Sequence, residues 1–217
     1  MNEQLLAQPV AAATLHPLEQ LAATNPDAEI WWDSSPLIFP SWRAETLAKA
    51  PADQLASWTA QVDRFYDADV IASQGTMGFR GVTTNPPLSL QAIKLAPDVW
   101  AAEIRKIAAA NPALDYEGVY WKMYLDLVRR GAEAIRPVWE KSGGKYGWLS
   151  GQVDPRWVRD GDKMLQQGLQ IVAQGPNVML KLPGSKEGYE VMEEVTARGI
   201  STNNTTSFTV PQYLRCR

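Results

Sequence analysis

Lys181 is the one charged residue in an otherwise apolar run. The stretch VMLKLPGSKEG (178–188) places it after Val178, Met179 and Leu180 and before Leu182, with Pro183 and Gly184 breaking the chain beyond. A short apolar run bounded by Pro and Gly reads as a buried strand ending in a loop. Burying a lysine there is costly unless it is paired or gives up its proton. The residue therefore either snorkels at an edge or uses its amine. Giving up its proton would leave the amine uncharged. A charged one can hold a phosphate as a point charge, and Gly184-Ser185-Lys186 could add an anion nest at a helix start.

The rest of the chemical inventory is narrow. His16 is the only histidine and Cys216 the only cysteine. One of each is too few for a His/Cys zinc site, so no metal or cofactor is expected. Acid–base work falls to carboxylates, lysine, tyrosine or bound water. A single cysteine allows no internal disulfide and fits a reducing compartment. The net charge of −3 and pI near 5.3 offer no basic field for nucleic acid or an anionic membrane. No window approaches the roughly 18 apolar residues of a membrane span. The start MNEQLLAQPVAAATLHPLEQ lacks the pattern of a secretory signal, so a cytoplasmic protein is expected.

The elements that must position Lys181 follow from periodicity. Short β-prone runs are expected at 29–33, 80–85, 147–153, 178–182 and 200–206. Helical patterns fall at 44–66, 88–95, 97–110, 114–141, 157–174 and 186–197, with another beginning at Ser207. Gly199 reads as a helix C-cap. Residues 1–27 read as an N-terminal helical extension, and 28–217 as one unit. Strand alternating with helix implies parallel strands joined by crossover helices. Each strand ends at or near a polar residue: Asp33, Asn85, Gln152, Lys181, and Asn203 with Thr205. In parallel α/β folds functional groups gather at the C-terminal strand ends. The fold class expected is α/β, a barrel whose mouth is lined by these Asp, Asn, Gln, Lys and Thr residues.

GVTTNPPLS (81–89), LSGQVDPR (149–156), MLKLPGSKEG (179–188) and ARGISTNNTTSFTVPQ (197–212) resemble the signature stretches of the transaldolase family, and IWWDSS (30–35) resembles its first strand. The resemblance implies a (β/α)8 barrel and class I aldol chemistry through a lysine Schiff base. A dihydroxyacetone unit would pass from a ketose phosphate to an aldose phosphate, as in the pentose phosphate pathway. It implies Lys181 as the Schiff-base lysine and Asp33 as the residue that takes and returns the proton of the substrate C4 hydroxyl. It implies Thr205 as holder of the catalytic water and Asn85 as a hydrogen-bond partner of the donor's hydroxyl. Asn203 shares the strand face of Thr205. The plain alternatives are a helix N-cap for Asp33, a turn residue for Asn85 and β-propensity for Asn203 and Thr205. Sugar phosphates are the expected partners, with a homo-oligomer possible.

Two features depart from the family pattern. Gln152 stands where transaldolases carry a glutamate that shuttles protons with water. Glutamine there resembles the fructose-6-phosphate aldolase branch, which makes simple aldol cleavage an alternative to transfer. The chain also ends soon after the fifth strand, before the family's phosphate-binding serine and arginines, which suggests a C-terminal truncation. A catalytically inactive remnant serving only assembly or interaction is the alternative of a different class. The interval from Asn85 to Gln152 is more than twice either following interval and implies extra helix there.

Overall fold

The structure, a computed structural model, describes residues 17–25, 27–72 and 78–217. Most of the expected N-terminal extension, with His16, lies outside the described residues.

Helix α1 (Pro17–Thr24) precedes strand β1 (Ile30–Asp33). The connection to β2 (Phe79–Thr83) carries α2 (Phe39–Leu47), α3 (Leu55–Arg64) and α4 (Ala68–Ala72). The expected single helix over 44–66 is corrected to two, because Pro51 has no N–H to donate and its ring crowds the preceding turn. Three helices fill the long interval before β3 (Trp148–Gln152): α5 (Pro86–Leu95), α6 (Pro97–Ala110) and the 26-residue α7 (Tyr116–Lys141). Then α8 (Gly161–Val172) leads to β4 (Val178–Pro183), and α9 (Lys186–Ala197) leads to β5 (Thr202–Thr205). Helix α10 (Val210–Cys216) follows.

The five strands pair in parallel in the order β1-β2-β3-β4-β5, forming a curled half-barrel with helices alternating between strands. This is the incomplete (β/α)8 arrangement that the family resemblance implies, about five of eight βα units, with β1 and β5 at its edges.

Side-chain alternation divides the sheet into two faces. Val82, Leu149, Leu180 and Leu182 point to the convex face and pack on Tyr124, Val128, Ala132 and Ile135 of α7, Met164 and Ile171 of α8, and Val191 and Val195 of α9. Each of these four strand residues is 0–1% exposed. Burying such a side chain is worth about 1.5–3 kcal/mol, so the convex face anchors the strands and leaves the concave face free to carry polar groups. Close approach is needed between α8 and β4: a Cβ at Gly168 would lie 2.6 Å from Leu180 Cδ2. At the entry to β3, Gly147 has φ +80, and a Cβ there would meet the Trp139 nitrogen at 2.4 Å. Only glycine fits that turn. Gly199, at φ +78 directly after α9, ends that helix as expected.

Candidate functional site

Lys181 lies two residues before the end of β4 and is 7% exposed. Its Nζ donates to Thr83 Oγ1 at 3.2 Å and to the Thr84 carbonyl at 3.0 Å. Burial pushes its pKa below the ordinary lysine value, and the negative charge of Asp33 acts against that shift. Both effects have the expected sign: desolvation disfavours the ammonium, and a nearby carboxylate favours it.

Register places the other groups around it. Gln152 pairs with Lys181, Lys181 with Asn203, and Pro183 with Thr205. On the other flank Asp33 pairs with Thr83, and Thr83 with Ser150. Paired residues of a parallel ladder share a face, as do residues two apart on one strand. Asp33, Thr83, Ser150, Gln152, Lys181, Asn203 and Thr205 therefore share the concave face. Asp33, Gln152 and Thr205 are the last residues of β1, β3 and β5.

The local bonds refine this arrangement. Asp33 is exposed, and Ser35 rather than Asp33 caps the short 3-10 turn Pro36–Ile38, its Oγ accepting from the Leu37 N–H. The helix-cap alternative for Asp33 is thus corrected. Asn85 lies beyond β2 and caps α5, with Oδ1 accepting from the Leu88 N–H at 2.9 Å. Among the described residues its amide nitrogen is left for another partner. Asn203 Nδ2 donates to Ser150 Oγ at 2.8 Å and approaches Thr83 Oγ1 at 3.5 Å. The Thr205 carbonyl accepts from the Gly184 N–H at 2.7 Å, tying β5 to the loop after β4. Thr206, next along, has φ 60, a left-handed conformation uncommon for a β-branched residue.

Thr83, Ser150 and Tyr124 were not singled out from the sequence. Thr83 precedes Asn85 by two residues and Ser150 precedes Gln152 by two, so the period of two that links Asn203 to Thr205 would have found both. Tyr124 belongs to α7, and no local pattern links it to the site. Its hydroxyl donates to the Gln152 carbonyl at 2.7 Å and accepts from the Gln152 N–H at 2.9 Å.

Two cavities flank the site. One, of about 350 Å³, opens on the concave face and is lined by Trp31, Thr83, Met179, Thr202, Asn203 and Asn204. The other, of about 400 Å³, is walled by Tyr116, Tyr120, Trp121 and Tyr124, with Gln152 and the Asp154–Arg156 ion pair at its edge. Thr83 lines the concave cavity, and Lys181 adjoins it through its bond to Thr83 and its register partner Asn203. Among the described residues no cluster of His, Cys, Asp and Glu is arranged to hold a metal ion. No described helix is long and apolar enough to cross a membrane.

A family model described as Transaldolase/Fructose-6-phosphate aldolase matches residues 60–217. The chain belongs to this family. Among its relatives are the transaldolases of Mycobacterium ulcerans and Mycobacterium tuberculosis, each 30% identical over 171 residues, covering 77% of this chain and 45% of theirs. A protein named transaldolase 1 from Streptomyces avermitilis is 33% identical over 148 residues, covering 67% of this chain and 38% of its own. The chain thus spans about half the length of the curated relatives it matches. The transaldolase/fructose-6-phosphate aldolase match begins within α3, after β1, so Asp33 falls before the stretch matched by the family model.

Proposed function

We propose that the chain carries class I aldol chemistry on ketose phosphates, with Lys181 as the Schiff-base nucleophile. The observation that supports this best is the state of the amine. It is buried on a strand end and bonded to two neutral oxygens, with its pKa lowered by desolvation. An amine must be uncharged to attack a carbonyl, and such surroundings favour that form.

In this reading Lys181 Nζ attacks the ketose C2 carbonyl, and loss of water from the carbinolamine gives a protonated imine. Asp33 takes the proton of the C4 hydroxyl as the C3–C4 bond breaks. The electron pair of that bond passes into the imine to give an enamine, and an aldose phosphate leaves. Attack of the enamine on a second aldose phosphate completes glycerone transfer, and water then releases the product from Lys181. Thr205 holds that water, while Asn85 and Asn203 bind donor hydroxyls. The substrates are sugar phosphates, and the role is in carbohydrate metabolism of the pentose phosphate type, in the cytoplasm.

A second reading is supported by Gln152. A neutral amide cannot take up a proton at neutral pH, and the glutamine resembles the fructose-6-phosphate aldolase branch. The enamine would then be protonated to the imine, and water would add and displace the Lys181 amine to release free dihydroxyacetone. The test is to incubate the chain with fructose 6-phosphate, with and without a second aldose phosphate. Transfer predicts products only when the acceptor is present. Cleavage predicts free dihydroxyacetone in both reactions. No turnover in either would reject catalysis by this chain.

A further inference from the structure

The Lys181 amine has two hydrogen-bond acceptors among the described residues: Thr83 Oγ1 at 3.2 Å and the Thr84 carbonyl at 3.0 Å. An uncharged amine has two N–H groups and one lone pair, whereas an ammonium has three N–H groups and no lone pair. Two acceptors occupy both hydrogens of the free amine. Tetrahedral geometry then fixes the direction of the lone pair.

Both acceptors are themselves held. Thr84 is tied to β3, its N–H and its Oγ1 both donating to the Ser150 carbonyl at 3.2 and 2.9 Å. Thr83 closes β2 between Asp33 and Ser150, and Asn203 Nδ2 lies 3.5 Å from its Oγ1. That amide is fixed in turn by its 2.8 Å bond to Ser150 Oγ. The Lys181 amine is thus set, directly or through one neighbour, by groups on or beside β2, β3 and β5. The Thr84 acceptor is main chain, which no substitution removes cleanly. The Thr83 acceptor is a side chain, and it also lines the concave cavity of about 350 Å³.

We propose that Thr83 is a positioning residue whose hydroxyl oxygen holds the Lys181 amine with its lone pair directed to the concave face, where a ketose carbonyl would arrive. This rests on the reading of Lys181 as a Schiff-base nucleophile. The role of Thr83 is orientation and not deprotonation. Removing an acceptor weakens the ammonium more than the free amine, since hydrogen bonds to a charged donor are the stronger ones. Loss of Thr83 Oγ1 therefore leaves at least as much uncharged amine, aimed less well. Misplacing a reacting group by about 1 Å can cost about 10²-fold in rate.

The test uses the 217-residue chain with Thr83→Val and Thr83→Ser, both checked for folding by circular dichroism. Thr83→Ala replaces the valine variant should that one not fold. One arm measures the rate of adduct formation at Lys181 with dihydroxyacetone and cyanoborohydride, read by peptide mass. The second measures acetylation of Lys181 by acetic anhydride against pH, giving a midpoint and an alkaline plateau. The expected result is an adduct rate about tenfold or more lower in Thr83→Val, with a midpoint that stays or falls. Thr83→Ser keeps the oxygen and should restore the rate. A wild-type adduct rate in Thr83→Val, a midpoint that rises enough to explain the loss, or a serine variant as slow as valine would overturn the inference. Absence of any adduct in the wild-type chain would reject the Schiff-base reading. The plateau would then decide the inference alone: slower acetylation in Thr83→Val supports oriented holding, and equal rates refute it.

Discussion

The Tyr124 hydroxyl bonds both main-chain polar groups of Gln152, accepting from its N–H at 2.9 Å and donating to its carbonyl at 2.7 Å. Strand β2 ends at Thr83, so the last residue of β3 has lost its ladder partner on that side. A phenol from α7 takes the strand's place. Burial pushes the Tyr124 pKa far above its usual range, so the hydroxyl keeps its proton and can act as donor and acceptor at once.

Tyr124→Phe should therefore cost about 1–3 kcal/mol, because two part-buried main-chain groups lose their partner while the ring still fills its place. Urea unfolding of the two chains measures this. A loss no greater than that of a surface substitution would show that water or a neighbouring group replaces the hydroxyl.

A buried lysine with a lowered pKa makes stability depend on pH. Between the lowered value and the ordinary value of 10.5, the unfolded chain binds more protons than the folded one. Wild-type stability thus rises with pH through that window. Lys181→Met lacks this dependence. The stability of the Met variant relative to wild type should be highest near neutral pH and decline as pH approaches the ordinary lysine value. A difference that is flat or grows with pH would contradict the assignment.

Asp33 supplies the opposing influence on the same amine. Asp33→Asn removes an attraction that favours the ammonium, so the pH midpoint for acetylation of Lys181 should move down. Peptide mass after brief labelling across pH reads this directly. An unchanged midpoint would mean that Asp33 is too well solvated to influence the amine.

The strand–helix order and the polar strand ends were legible because both rest on local periodicity. The helices 97–110 and 186–197 fall where the apolar spacing puts them. The break within 44–66 was signalled by Pro51 and passed over in favour of the apolar spacing around it. The five-residue α4 is too short to leave a periodic trace. Within the site, Lys181 was conspicuous because it interrupts an apolar run, while Thr83 and Ser150 were hidden as ordinary strand residues. What makes Thr83 notable is its 3.2 Å bond to a residue 98 positions away. Tyr124 reaches Gln152 across 28 residues and two kinds of element, which no spacing rule can anticipate.

In the proposed mechanism Gln152 is the residue that governs how water enters and leaves the imine. A neutral amide can orient that water but cannot exchange protons with it, and general acid–base help is typically worth about 10²–10⁴-fold. Gln152→Glu should speed exchange of the dihydroxyacetone carbonyl oxygen with ¹⁸O-labelled water by about tenfold or more. Mass analysis of recovered dihydroxyacetone follows the exchange, and Lys181→Met supplies the background. A slower exchange in the glutamate variant would mean that Gln152 is suited to its present role, which favours the aldolase reading.

The central claim is that Lys181 is the nucleophile, and trapping its adduct tests this most directly. The chain is incubated with fructose 6-phosphate and borohydride, digested, and its lysine peptides weighed. The account predicts one reduced three-carbon unit on the peptide carrying Lys181, absent from Lys181→Met. Label spread over many lysines, or persisting at the same level in Lys181→Met, would contradict it.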